Sequence, residues 1–239
     1  MARSKKQMKE RDLYGSVQRW AERHFGCFAT AVNKGTIHGR VDVIGLRQVP
    51  GDRSAETDLV CIEVKRGTQP LLNAMGQAFG YSVYGDFCYL ADFRPTAGFS
   101  DTERDLAEKL GVGLIRVRSI SRVELVSTAR RQAPVQDFKL QLADQLGYVE
   151  CAICKTYFPR NKTSKQKFGW DNLVRDQGSR VRVERGIREG KGLVFWPEDA
   201  SANDRTHDSR HEDGRLYNRR FACTTCARLF FGSQSETSP

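Results

Sequence analysis

Three charged residues of this sequence lie in otherwise apolar stretches, where a charged side chain needs a specific reason to be. Asp42 stands between Val41 and Val43 in GRVDVIGL, and Glu63 and Lys65 end the run DLVCIEVK. Burying such charges is costly unless each one has a partner. If the two stretches form neighbouring antiparallel strands, the carboxylates of Asp42 and Glu63 can face each other. Two converging carboxylates and water then make an oxygen-rich site suited to Mg²⁺ or Mn²⁺.

Such a site suits hydrolysis of a phosphodiester bond. A divalent cation polarises the phosphate and lowers the pKa of a water molecule. The ammonium group of Lys65 would stabilise developing negative charge or orient the nucleophile. The alternative is structural: Asp42 begins a turn, while Glu63 and Lys65 form an ion pair on a solvated edge strand. The apolar surroundings of all three residues favour the functional interpretation.

Hydrophobic periodicity defines the elements that would position these residues. It predicts helices over residues 10–25, 69–84 and 101–110, and strands over residues 27–32, 39–46, 58–65, 87–91, 113–117 and 122–126. Ser100 and Glu103 predict a capping box at the start of the third helix, and Gly111 predicts its end. The apolar run FCYLA is typical of a buried parallel strand. This order of elements indicates an α/β domain with a mixed sheet.

Residues 8–127 resemble the PD-(D/E)xK superfamily of restriction-endonuclease-like nucleases. The matching pieces are Asp42 in GRVDVIG, then Glu63 and Lys65 in CIEVKRG, then the helix and strand in NAMGQAFGYSVYGDFCYLA. The order of helices and strands also matches the family's αβββαβ core. Val41 stands where the family has a proline before its first aspartate. The resemblance assigns metal binding to Asp42 and Glu63 and catalysis to these two residues with Lys65.

The resemblance extends to two further parts of the site. Gln77 and Tyr81 match the Q-x-x-x-Y helix of several branches, and their four-residue spacing puts them on one helix face. The structural alternative is that they simply rim the core. Family members often carry another acidic residue on the first helix. By position this is Glu10, with Glu22 as the alternative, although a helix dipole also favours an acid near its start.

The resemblance implies a divalent-metal-dependent endodeoxyribonuclease that uses Mg²⁺ or Mn²⁺. It implies a role in prokaryotic restriction or defence, or in DNA recombination and repair. Two other functions stay open, namely RNA cleavage and a catalytically silent nucleic-acid-binding or assembly subunit with the same fold. The expected location is the cytoplasm, with the protein at the nucleoid when it is bound to DNA. A homodimer or a subunit of a larger complex is compatible with the sequence.

Four of the seven cysteines form two C-x-x-C pairs with the spacing of a tetrahedral zinc site. They are Cys151, Cys154, Cys223 and Cys226. A four-cysteine site is closed, so its role would be structural. The alternative is four unrelated buried thiols. His207 and His211 lie in the polar stretch SANDRTHDSRHEDG. They could replace a cysteine ligand or bind a second ion, but a mobile charged loop is the simpler interpretation.

Positive charge is concentrated around the cysteine pairs. The whole chain has a net charge of +10, which favours a polyanionic partner. Between the pairs, basic residues alternate with aromatic ones, a pattern suited to phosphate contacts and base stacking. The predicted nucleic-acid contacts are Lys165, Lys167, Arg180, Arg182 and Arg185. A solvated basic face is the alternative. No apolar run is long enough for a membrane span, so no membrane partner is expected.

These features divide the chain into parts with different expected tasks. Residues 1–130 form the nuclease-like domain, and residues 131–137, RQAPVQD, form a linker. Residues 138–231 form a small α+β domain that zinc stabilises, beginning with a helix over residues 138–146. Residues 232–239, GSQSETSP, are expected to be a disordered tail.

Overall fold

The computed structural model describes residues 8–36, 39–49, 57–169, 177–196 and 220–231. Of residues 164–169, 177–180, 196, 230 and 231 only the backbone is described. The chain forms two compact units, the first with the described residues up to Leu142 and the second with those from Ala143. In this part of the chain no helix is both long enough and apolar enough to cross a membrane.

The first unit consists of one six-stranded sheet and three helices. The helices are Arg11–His24 (α1), Leu71–Gly80 (α2) and Asp101–Leu110 (α3). The strands are Ala29–Thr36 (β1), Gly39–Gln48 (β2), Thr57–Lys65 (β3), Phe87–Phe93 (β4), Gly113–Ser119 (β5) and Arg122–Ser127 (β6). A short 3-10 turn, Tyr81–Val83, follows α2.

The strands lie in the sheet in chain order, from β1 to β6. Strand β2 is antiparallel to both β1 and β3, and β6 is antiparallel to β5. The pairs β3–β4 and β4–β5 are parallel. Parallel neighbours need a crossover connection, and α2 and α3 provide the two crossovers. The structure therefore confirms the α/β class, the mixed sheet and the antiparallel neighbours β2 and β3.

The side chains of β4 show which helices cover each face of the sheet. Leu90 packs with α2 and α3, whereas Ala91 packs with α1. Helix α1 contributes apolar residues at helical spacing to its side of the core: Leu13, Val17, Trp20 and Ala21. Burying a side chain as large as that of Leu13 or Val17 contributes about 1.5–3 kcal/mol. Strand β3 lies between both layers and is buried along its whole length.

Local signals predict some element ends correctly and miss others. The hydroxyl of Ser100 accepts a hydrogen bond from the Glu103 amide at 3.3 Å, and Gly111 ends α3 with a φ of 71°. Helix α2 is shorter than the predicted helix over residues 69–84, because Pro70 precedes it and the chain tightens into the 3-10 turn after Gly80. Strand β1 begins later and ends later than predicted, because it pairs with β2 as far as Thr36.

Two buried carboxylates, Asp58 and Asp86, lie near the start of β3, at the other end of this strand from Glu63. Asp58 accepts from Arg47 at 3.3 Å and from Arg131 at 3.1 Å, and Asp86 pairs with Lys139 at 2.8 Å. These ion pairs join the segment 131–139 to the sheet of the first unit. The first unit consequently continues to Leu142, beyond the residues 131–137 that the sequence suggests as a linker.

The second unit is built from short elements. They are β7 (Tyr148–Glu150), β8 (Tyr157–Pro159), β9 (Thr163–Gly169), α5 (Gln177–Arg188), β10 (Gly192–Trp196), β11 (Arg220–Ala222) and α6 (Thr224–Phe231). Helix α4 (Gln136–Gln145) precedes them and spans the boundary between the units. Strand β10 lies between β9 and β11, and β7 pairs with β8. The small core includes Val183, Ile187, Leu193, Phe195, Ala222 and Ala227.

Candidate active site and candidate metal centre

The pairing of β2 with β3 brings Asp42 to Glu63. Val43 lies opposite Ile62 in the antiparallel register, so the preceding residue of β2 lies beside the following residue of β3. The register is held at this point by the backbone amide of Val64, which donates to Oδ2 of Asp42 at 2.9 Å. The two carboxylates therefore converge at the end of a buried strand.

Glu63 and Lys65 form an ion pair inside the protein. The distance from Lys65 Nζ to Glu63 Oε1 is 2.5 Å, and their side chains are only 8% and 5% exposed, respectively. Burial raises the pKa of Glu63, and the negative charge of Asp42 raises it further. Burial alone would lower the pKa of Lys65, but its hydrogen bond and charge interaction with Glu63 outweigh burial and raise it. Lys65 is therefore held as an ammonium group at neutral pH.

Tyr81 belongs to the same group of side chains, but Gln77 does not contact it. The Tyr81 hydroxyl forms a hydrogen bond with Oε2 of Glu63 and lies 2.9 Å from the carbonyl oxygen of Arg40. Burial and the charge of Glu63 raise the pKa of Tyr81, so its hydroxyl stays protonated. The Gln77 side chain is exposed and forms no hydrogen bond with any other described residue.

Tyr14 is a member of the site that the sequence interpretation missed. Its hydroxyl donates to Oδ1 of Asp42 at 2.6 Å, and burial together with this bond raises its pKa. Tyr14 lies on α1, four residues after Glu10, and residues at this spacing share a helix face. Glu10 and Tyr14 have the same four-residue spacing as Gln77 and Tyr81, and this spacing is the sequence signal that could indicate Tyr14 as a site residue.

Glu10, rather than Glu22, lies beside this centre. Glu10 immediately precedes α1, and its negative charge raises the pKa of both Tyr14 and Lys65. Glu22 lies near the other end of α1 and accepts a hydrogen bond from Thr30 of β1 at 2.6 Å.

The arrangement can hold a divalent cation. Asp42 and Glu63 present four carboxylate oxygens, and each oxygen has a second lone pair beyond the hydrogen bond or ion pair that it makes. Hard cations such as Mg²⁺ prefer oxygen ligands of this kind. The pKa of Glu63 is raised first by the burial of its side chain and then by the negative charge of the half-buried Asp42.

The four cysteines of the two C-x-x-C pairs come together in the second unit. Cys151 follows β7 and Cys154 lies in the next turn, while Cys223 immediately precedes α6 and Cys226 is in its first turn. Their sulfur atoms all lie within 4.8 Å of one another. The distance from Cys154 Sγ to Cys223 Sγ is 3.8 Å, which equals the sulfur spacing of a tetrahedron with Zn–S bonds of about 2.3 Å.

The electrostatics of the cluster also suit a metal. Burial opposes ionisation of Cys154, but its hydrogen bonds with Thr156 outweigh burial and lower its pKa to about 7. Burial raises the pKa values of Cys223 and Cys226. The thiols of Cys223 and Cys226 would stay protonated unless a cation neutralised their thiolates. The four cysteines could therefore bind a structural metal ion such as zinc.

The predicted nucleic-acid contacts are only partly within the described side chains. Arg182 and Arg185 are exposed on α5, whose other face buries Val183 and Ile187. The structure does not describe the side chains of Lys165, Lys167 and Arg180. The two histidines of the predicted loop, His207 and His211, also lie outside the described residues. The disordered tail predicted for residues 232–239 lies outside them as well.

Comparisons with known proteins find no significant match to a protein family, to a characterised protein or to a solved structure.

Proposed function

We propose that this protein is a divalent-metal-dependent nuclease that hydrolyses DNA phosphodiester bonds, and that its first unit has the restriction-endonuclease-like fold. The observation that carries the proposal is the convergence of Asp42, Glu63 and Lys65 at the end of one buried strand. A binding module has no need of a buried ammonium group beside one buried and one half-buried carboxylate. The order of elements supports the fold resemblance: one helix is followed by three antiparallel strands, a second helix and a parallel strand.

In this proposal Asp42 and Glu63 hold Mg²⁺ or Mn²⁺, which would polarise the scissile phosphate and acidify a water molecule. Lys65 supplies a fixed positive charge close to the point where negative charge develops on the phosphate. Tyr14 and Tyr81 each hold one carboxylate by a hydrogen bond, so the ligand oxygens keep their positions before substrate arrives. Such fixed geometry avoids reorganisation during the reaction.

The second unit would supply affinity for the substrate. Arg182 and Arg185 are exposed on one helix, and the chain as a whole is strongly basic. Contacts of arginine with backbone phosphates release counterions and depend little on base sequence. The proposed setting is restriction, defence or repair in a prokaryotic cell.

A cleavage assay on labelled DNA and on RNA of the same sequence tests this proposal. The wild-type protein should cut DNA in Mg²⁺ or Mn²⁺ and should be inactive in chelator. Glu63→Gln removes a ligand charge and should abolish cutting. Glu22→Gln makes the same chemical change on α1, away from the centre, and should cut like the wild type.

Three other results of this assay would contradict or change the proposed function. Cleavage that persists in chelator or in Glu63→Gln would contradict the proposed centre. Preference for the RNA strand would replace DNA by RNA as the substrate. Binding without cleavage under all conditions would favour a catalytically silent nucleic-acid-binding subunit.

A further inference from the structure

Asp92 is a buried carboxylate near the end of β4 that has no part in the centre described so far. Its side chain is 5% exposed, and its Oδ2 accepts a hydrogen bond from Arg94 Nε at 2.8 Å. Arg94 is itself held by both carboxylate oxygens of Glu103, at 2.7 and 2.8 Å, so the position of Asp92 is fixed. The other oxygen of Asp92, Oδ1, is buried and has no hydrogen-bond partner among the described residues. A buried oxygen without a donor is costly, so a donor that reaches it in another state of the protein would explain an aspartate here.

Lys65 is the neighbour of Asp92 in the sheet. Strands β3 and β4 are parallel, and Lys65 is paired in register with Asp92. Neighbouring strands lie about 4.8 Å apart, and residues paired in register share a face of the sheet. The long, flexible stem of a lysine can span this distance. Lys65 therefore lies between two buried carboxylates, Glu63 along its own strand and Asp92 across the sheet, and in the structure it pairs with Glu63.

A divalent cation on Glu63 would disfavour the present position of the Lys65 ammonium group. This group lies 2.5 Å from Oε1 of Glu63. A cation such as Mg²⁺ would lie about 2.1 Å from an oxygen of the same carboxylate. Two positive charges would then share one carboxylate inside the protein, where their repulsion is weakly screened. Movement of the ammonium group to Oδ1 of Asp92 would relieve this repulsion and give the buried oxygen a donor.

We propose that Asp92 is a positioning residue that receives the ammonium group of Lys65 when a divalent cation binds to Glu63. This inference rests on the proposed function, because it takes Asp42 and Glu63 as the cation site. The exchange of partners frees an oxygen of Glu63 for the cation. Lys65 keeps its positive charge beside the centre in both positions, so it stays available to the scissile phosphate.

Calorimetric titration of the full-length protein with Mn²⁺ alone tests this exchange of partners. Asp92→Asn keeps an acceptor for Arg94 but places an amide NH₂ group where Oδ1 lies, so the ammonium group loses its second partner. Because a hydrogen bond to a charged group is lost, Mn²⁺ affinity should fall on the order of tenfold. Glu103→Gln is the matched control, since it changes the other carboxylate that binds Arg94 and leaves Asp92 and Lys65 in place. This control should bind Mn²⁺ like the wild type.

A double-mutant cycle separates this role of Asp92 from a purely structural one. Lys65→Met has no ammonium group to relocate, so adding Asp92→Asn to it should leave its Mn²⁺ affinity unchanged. Loss of the ion pair between Asp92 and Arg94 would instead weaken Mn²⁺ binding equally in both backgrounds. Circular dichroism shows whether each variant folds. If Lys65→Met does not fold, Lys65→Gln is a neutral background that keeps a hydrogen-bond donor for Glu63.

The possible failures of this inference and of the proposed function are distinguishable. An unchanged Mn²⁺ affinity in Asp92→Asn, or an equal loss with and without the Lys65 ammonium group, would overturn the exchange of partners and leave the proposed cation site standing. A wild-type protein that binds no Mn²⁺ would contradict both the exchange and the cation site.

Discussion

The pKa of the Glu63 carboxyl group depends on opposing effects of burial and of neighbouring charged and polar groups. Burial and the neighbouring charge of Asp42 favour its protonated form, whereas Lys65 and Tyr81 favour the carboxylate. The net effect raises its pKa from the ordinary value of glutamate. A divalent cation bound as we propose would supply positive charge beside the two carboxylates.

The raised pKa of Glu63 predicts how metal binding depends on pH. A proton and a metal ion compete for the same oxygens, so Mn²⁺ affinity should be constant above the pKa of Glu63 and fall as pH drops through it. This fall should begin above the usual glutamate pKa of about 4.3. Calorimetric titration of Mn²⁺ at a series of pH values measures it. Glu63→Gln, which cannot ionise, should bind more weakly and lack this fall; a wild-type affinity that stays constant down to the usual glutamate range would contradict the interpretation.

Tyr14 is the part of the site that the sequence indicates only weakly, by its spacing from Glu10. Asp42, Glu63 and Lys65 are conspicuous because each is a charge in an apolar strand. Tyr14 is an ordinary member of an amphipathic helix, and its role depends on a contact with Asp42, 28 residues away. Only the packing of α1 against the sheet establishes that contact.

The sequence predicts best those helices whose ends are defined by nearby residues. Helix α3 has its capping box and its terminal glycine where the sequence places them, because both involve residues within one or two turns of the ends. The short strands of the second unit were not predicted. Strands of three residues, such as β7 and β8, are too short to show alternation, and tertiary pairing defines them.

The elements that carry the cysteines predict a zinc-dependent second unit. Cys151 and Cys154 lie beside β7, and Cys223 and Cys226 lie at α6, so one ion would join parts of the chain about 70 residues apart. We expect about one tightly bound zinc per chain, because four thiolates bind it strongly. Cys226→Ser should lose the metal and unfold the second unit, whereas the first unit should keep its structure.

Metal analysis of freshly purified, reduced protein measures this zinc, and hydrogen exchange shows which unit unfolds. Cys27→Ala is the control, because Cys27 is a buried cysteine of the first unit, outside the cluster. It should leave the zinc content unchanged. Wild-type protein without zinc would remove the structural role that we assign to the four cysteines.

The whole molecule combines an acidic centre in one unit with exposed basic residues in the other. Replacing Arg180, Arg182 and Arg185 together by glutamine should weaken DNA binding. Each lost phosphate contact lowers the salt slope by about 0.9, so the slope should fall by up to roughly 2.7. Cleavage of DNA that is already bound should change little. Binding measured by fluorescence anisotropy at several salt concentrations gives both quantities.

A charge-matched control separates a specific surface from total charge. Arg19, Arg23 and Arg104 are exposed arginines of α1 and α3, and replacing them by glutamine removes the same number of charges. This control should keep the salt slope close to that of the wild type. Equal effects of the two triple variants would mean that binding reflects overall charge, and no effect of the first would favour a protein-docking role for the second unit.

The most direct test of the account is a single-turnover cleavage measurement on DNA that is already bound, in saturating Mn²⁺, with Asp42→Asn. This variant keeps the shape of the side chain and an acceptor for Tyr14, but it removes the acceptor of the Val64 amide and the charge of a proposed metal ligand. Asp105→Asn, an exposed residue of α3, is the matched control. We expect the wild type and Asp105→Asn to cut at the same rate, and Asp42→Asn to bind DNA normally without cutting it. Cleavage by Asp42→Asn at the wild-type rate would show that the centre formed by Asp42, Glu63 and Lys65 is not where DNA is hydrolysed.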